Sequence, residues 1–241
     1  MLTGARAVVR VLTRTSVAGS PPATGGCVVA ANHLSLLDPL LLGTAVDAAG
    51  RVPRFLAARG LWSVPGLGYA LRACEQIPVR RDGGRAVEAV DLAVAAAAAG
   101  RCVVVYPEGR ITRDPAGWPV RARTGAVRIA AAAGVPLVPT ACWGTNLVLP
   151  LGVRLPRPVP RRTCSVVFGE PLDVAELLGR RADSSGSPTP TPTAAITLTP
   201  EQARAATEAL SDGVDALLAV LRGQPRPGPR LDVRRPGHAP R

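Results

Sequence analysis

Short apolar runs alternate with Ala-rich helical stretches through the middle of this chain, and that alternation narrows its fold more than any other feature. The runs at 27–31, 54–58, 76–79, 102–106, 135–142 and 163–168 read as strands, rich in Val and Cys. Between them, 85–99 and 124–133 read as helices, stopped by Gly100 and Gly134. Strands alternating with helices predict an α/β domain: one largely parallel or mixed sheet flanked by helices. In such sheets, ligands gather beyond the carboxyl ends of the strands.

The flanks divide differently. Residues 1–20 predict an N-terminal amphipathic helix, with Arg6, Arg10 and Arg14 on one stripe and Leu2, Ala5, Val9 and Leu12 on another. Such a helix suits a membrane interface or the surface of its own domain. Residues 21–181 form the predicted domain, and 182–200 a flexible Ser/Thr/Pro-rich insert. Residues 201–222 predict a C-terminal helix with Thr199 as N-cap, and 223–241 a disordered Pro- and Arg-rich tail.

Composition limits the chemistry. Of 29 basic residues every one is Arg, against 17 acidic, giving a formal charge of +12 and predicting an anionic partner. That partner is a phosphate-bearing substrate, an anionic membrane surface or nucleic acid. Two Phe, two Tyr and three Trp are few for stacking on single strands. Cys27, Cys74, Cys102, Cys142 and Cys164 form no C-x-x-C pair, and only two His are present. The cysteines therefore read as small buried hydrophobes in a reducing compartment, and no metal site is expected. No stretch is long and apolar enough for a transmembrane helix, and residues 1–20 hold no secretory signal.

One segment carries chemistry. In Asn32, His33, Leu34, Ser35, Leu36, Leu37, Asp38 and Pro39, a strand gives way to a helix. His33 is suited to take a proton near neutral pH, and a carboxylate five residues on can reach back to hold its tautomer. Backbone N–H groups of the helix start lie beside it. Asp38 before Pro39 equally suits a helix cap, with Ser35 as a partner in a capping box. Further strand ends carry Ile77-Pro78-Val79-Arg80-Arg81 and Tyr106-Pro107-Glu108-Gly109-Arg110, and another strand begins at Val135-Pro136-Leu137-Val138-Pro139. Arg is suited to bidentate phosphate contacts.

These four segments, in this order, resemble the glycerolipid acyltransferases of the 1-acylglycerol-3-phosphate acyltransferase type. The first motif, Asn-His-x4-Asp, is matched by Asn32, His33 and Asp38, and the second by Arg81 after the Ile-Pro-Val strand. The third, Phe-Pro-Glu-Gly-Thr-Arg, is matched by Tyr106, Pro107, Glu108 and Gly109, and the fourth by Val135 to Pro139. The run from Trp118 to Ala126 resembles an extension of the third. The chain departs from the family after Gly109, where Arg110 stands one position early.

The resemblance implies an α/β acyltransferase domain with His33 as base and Asp38 as its orienter. It implies that Arg81, Glu108, Gly109 and Arg110 shape the site for the acceptor's phosphate. The acceptor would be 1-acylglycerol 3-phosphate and the donor acyl-CoA or acyl carrier protein, with no cofactor. The place would be the cytoplasmic face of the plasma membrane, peripherally or monotopically bound. Alternatives are another lysophospholipid acceptor, a non-catalytic lipid-binding relative, or a basic nucleic-acid-binding protein.

Overall fold

The computed structural model of the chain describes residues 2–80, 86–153, 155–157, 159–179 and 195–232. Its sheet has seven strands: β1 (Thr13–Ala18), β2 (Cys27–Ala31), β3 (Pro53–Ala58), β4 (Ile77–Val79), β5 (Cys102–Val105), β6 (Leu137–Trp143) and β7 (Arg162–Phe168). They lie in the order β1-β7-β6-β2-β5-β3-β4. Every pairing is parallel except β6 with β7, so the sheet is mixed, and β1 and β7 run against the rest.

The two faces follow from strand alternation, since successive side chains point to opposite sides. Val28, Ala30, Val103 and Val105 face α4 (Ala86–Ala98), α5 (Gly125–Ala133) and α8 (Pro200–Arg222), while the shorter α3 (Leu67–Ala73) and α7 (Val174–Leu177) follow β3 and β7. Cys27, Val29, Ala31, Cys102 and Val104 face the opposite cluster, with Val9 of α1 (Leu2–Leu12) and Leu41, Leu42 and Val46 of α2 (Asp38–Ala48). Strands β2 and β5 are therefore buried on both faces, which explains why they read as unbroken apolar runs. Four of the five free cysteines lie buried in the second cluster. Helix α8 opens on a full capping box between Thr199 and Gln202 and closes at Gly223 in the left-handed conformation.

Two expectations about the flanks need correction. The N-terminal helix ends at Leu12, and Thr13–Ala18 is β1, paired in parallel with β7. A polar, largely exposed run still forms a strand because β7 presents an unpaired edge, and because Thr13 is buried, bonding back to Val9 O at 2.7 Å. Helix α1 packs on α2, with Val9 buried and Arg6 paired with Asp47, while Val8 and Val11 remain exposed.

The second correction concerns the tail. Residues 223–232 are ordered against α8, because Arg226 and Arg230 pair with Asp212, Asp215 and Glu208. Residues 233–241, the last two residues of the expected domain (180–181) and 182–194 of the expected insert lie outside the described residues, as does Arg81. The end of the insert packs: Leu198 is buried, and Ile196 N donates to Ala131 O. Among the described residues no helix is long and apolar enough to cross a membrane.

Candidate active site

The site lies at the carboxyl end of β2, the central strand. Asn32 follows the strand immediately and is fully buried. Its side-chain amide spans the backbone of Cys142 on β6, donating to the carbonyl at 2.9 Å and accepting from the N–H at 2.7 Å. This closes the seam between β2 and β6 where strand pairing gives out.

His33 then turns outward, with its side chain 14% exposed. Its Nδ1 lies 2.8 Å from Asp38 Oδ2. The same oxygen accepts from the backbone N–H groups of Leu34 and Ser35, and Oδ1 accepts from the Thr145 hydroxyl. Asp38 is entirely buried. It faces backwards onto the turn and makes no cap bond to α2, whose N-cap is Leu37 without side-chain help. Of the two readings of this segment, the geometry matches the oriented histidine. With Nδ1 committed to the carboxylate, Nε2 is the ring atom left to exchange a proton with a substrate.

Thr145 reaches Asp38 because of Gly144. The strand β6 ends there at φ +95°, and a Cβ would come 2.2 Å from Thr163 O. Only glycine fits that turn, which opens the short helix α6 (Thr145–Val148) beneath the carboxylate.

Four backbone donors at the helix start are already used. Leu34 and Ser35 N–H serve Asp38, Leu37 N–H serves Ser35 Oγ, and Asp38 N–H serves Ser35 O. They do not wait for an oxyanion.

The turn after β5 packs against the histidine from the other side. The Tyr106 ring stacks on the His33 ring, centroids 4.1 Å apart and planes 15° from parallel. Its buried hydroxyl has no hydrogen-bond partner among the described residues, and burial pushes its pKa well up, with Asp38 adding to the shift. Glu108 is buried rather than open to a substrate: Oε1 accepts from His33 N at 2.9 Å and Oε2 from Val120 N at 3.0 Å. Burial pushes its pKa up to about 8 despite those two bonds. Glu108 thus braces the histidine's backbone. Thr112 N donates to His33 O at 2.8 Å, so both backbone groups of His33 are held by this turn.

Gly109 sits at φ +70°, and a Cβ there would stand 3.2 Å from Arg123 Nε. The Arg123 guanidinium therefore lies against the turn, with Arg110 exposed beside it. A cleft of about 380 Å3 opens at Leu34, the residue after His33, and is lined also by Thr112, Asp114, Trp143, Asn146 and Leu151.

The structure thus brings His33, Asp38, Glu108 and Gly109 into one site, with Arg110 at its edge. Asn32, Tyr106, Val120, Arg123 and Thr145 join them without having been singled out for a role. Asn32 and Tyr106 belong to the first and third motifs, and Val120 and Arg123 to the run from Trp118 to Ala126. Thr145 had no signal beyond a glycine at the end of a strand.

The family described as Acyltransferase matches residues 14–143. The chloroplastic 1-acyl-sn-glycerol-3-phosphate acyltransferase BAT2 of Brassica napus is 30% identical over 133 residues, covering 55% of this chain and 37% of that protein. The chloroplastic 1-acyl-sn-glycerol-3-phosphate acyltransferase LPAT1 of Arabidopsis thaliana is 29% identical over 133 residues, 55% of this chain and 36% of its own. The match spans little more than a third of either plant protein. Among solved structures, the 1-acyl-sn-glycerophosphate (LPA) acyltransferase PlsC from Thermotoga maritima superposes with a TM-score of 0.63. It is 27% identical, over 90% of this chain and 77% of that one.

Proposed function

The chain belongs to the acyltransferase family, and from that premise we propose that it acylates the free hydroxyl of 1-acylglycerol 3-phosphate, giving phosphatidic acid for phospholipid synthesis. The observation that carries the reading is the outward-facing His33, tied through Nδ1 to the buried Asp38. Nε2 takes the proton of the acceptor hydroxyl as its oxygen attacks the thioester carbonyl of acyl-CoA or an acyl carrier protein. The carbon–sulfur bond then breaks, and the thiolate recovers the proton from His33. Asp38 fixes the tautomer and stabilises the imidazolium. The acceptor is itself the nucleophile, so the step needs no cofactor and no covalent enzyme intermediate.

A lysolipid acceptor is supported by the names of the relatives and by the Arg residues at the Gly109 turn. Arg110 and Arg123 flank the turn that braces His33, and Arg81, outside the described residues, is assigned to the acceptor's phosphate by its motif position alone. A membrane partner is supported by the surface around the dyad. The segments after β3 and β6 leave the same end of the sheet as His33. They expose Leu61, Val64, Tyr69, Leu151 and Leu155, while Leu36 is exposed between them. No Asp or Glu occurs in 59–73 or 144–162, where Arg59, Arg72, Arg157, Arg161 and Arg162 do. An apolar and basic rim of this kind fits an anionic bilayer, bound peripherally at the cytoplasmic face.

The test supplies lysophosphatidate and other lysolipids in vesicles with acyl-CoA and identifies the products by mass. Wild type forms phosphatidic acid, and His33→Ala lowers kcat by about 10²–10⁴-fold. Undiminished turnover by a folded His33→Ala variant overturns the reading, and a different preferred lysolipid corrects the acceptor.

A further inference from the structure

Past Gly223 the chain turns back along α8 and reaches the turn that braces the histidine. Arg226 Nη1 bonds both carboxylate oxygens of Asp215 on α8, at 3.1 and 3.3 Å, and Nη2 donates to Pro119 O at 2.8 Å. Two residues beyond Pro119, Arg121 N donates to Leu231 O at 2.9 Å. Val120 lies between these two anchored neighbours, and its N–H holds Glu108 Oε2. The other Glu108 oxygen holds His33 N. Trp118, just upstream, is 1% exposed; the Arg222 guanidinium stands 4.4 Å from its ring centre and Arg226 5.7 Å.

From this continuous path we infer that residues 223–232 are a strap that positions the catalytic histidine, with Arg226 as a positioning residue acting through Val120 and Glu108. The inference rests on the acyl-transfer reading above. Glu108 is buried and its Oε2 faces Val120 N. If Val120 shifts, that oxygen loses its backbone donor, and the carboxylate shifts with the bonds it keeps. His33 N–H would move with it, while Asp38 stays fixed by Thr145 and the turn. The Nδ1–Oδ2 alignment is what such a shift degrades. Arg226 touches no substrate on this account, so the strap governs kcat and leaves KM nearly untouched.

The experiment measures kcat and KM for lysophosphatidate, with Tm alongside, for wild type, Arg226→Ala, Arg226→Lys, Glu108→Gln and Arg226→Ala/Glu108→Gln. Expected for Arg226→Ala is a ten- to hundredfold loss of kcat, the scale of a small misplacement of a catalytic group, with KM changed less than about twofold. Arg226→Lys recovers part of it by keeping the charge against Asp215. In the Glu108→Gln background the arginine substitution adds almost nothing, because the path is already cut. The inference is overturned if Arg226→Ala keeps wild-type kcat, or if its effect is undiminished in the Glu108→Gln background. Should Arg226→Ala fail to fold, the same cycle run with Arg226→Lys decides in the same way. A wild-type protein without acyl transfer removes the reading beneath the inference, whereas an active wild type with an indifferent Arg226 removes the inference alone.

Discussion

Two buried carboxylates serve the same histidine from different strand ends, and they do unlike things. Asp38, in the turn after β2, bonds the ring and collects three further donors: two backbone N–H groups and the Thr145 hydroxyl. Glu108, in the turn after β5, bonds the backbone N–H of His33 and that of Val120, and burial lifts its pKa to about 8. A carboxylate near a histidine is thus not by its presence a catalytic partner. Which atom it holds, and how many donors share its charge, decide whether it tunes the ring or fixes the chain beneath it.

The comparison breaks hardest at Asp38. Asp38→Asn keeps the shape but turns one acceptor into a donor facing donors, and it loses control of the tautomer. A fall in kcat of about 10²–10⁴-fold is expected in the assay above, and a folded variant within a few fold of wild type would remove Asp38 from the chemistry.

Glu108→Gln should cost less, about ten- to hundredfold in kcat, because it orphans one buried donor without touching the ring. The same variant sharpens the contrast through pH. The carboxyl is held near 8, above its ordinary value of about 4.5, so the folded chain binds a proton that the unfolded chain releases between those values. Its contribution to stability is complete below about 4.5 and is lost as pH rises through about 8. Denaturant melts from pH about 5 to 9 should show that decline in wild type and a flatter profile in Glu108→Gln. The same slope in both would mean the proton binds elsewhere.

Thr145→Val should be the mildest. It removes one of four donors to Asp38, so kcat is expected to fall less than tenfold, with about 1.5–3 kcal/mol lost in unfolding stability. A loss as large as that of Asp38→Asn would show that the hydroxyl, and not the turn, sets the carboxylate.

The fold was largely legible because its central strands β2, β5 and β6 are buried on both faces. Runs such as 27–31 and 102–106 have no polar residue to break the signal. Strand β1 was not legible: Thr-Arg-Thr-Ser-Val-Ala is exposed beyond Thr13 and exists because β7 lies ready to pair with it. The strap was equally hidden, since Arg226 and Arg230 read as a solvated tail until Asp215 and Asp212 are placed beside them on α8. At the site, the histidine and its carboxylate were visible because five residues in one turn join them. Their supports were not, because Thr145 stands 107 residues from Asp38 and Cys142 stands 110 from Asn32.

That separation bears on the order in which this molecule gains and loses its activity. A local turn can place His33 near Asp38 early, but the clamp on β6 must wait for a loop of more than a hundred residues to close. Turnover is then a late arrival in refolding. In partial opening it is an early casualty, since peeling β6 from β2 would silence the protein while most of its helices still stand.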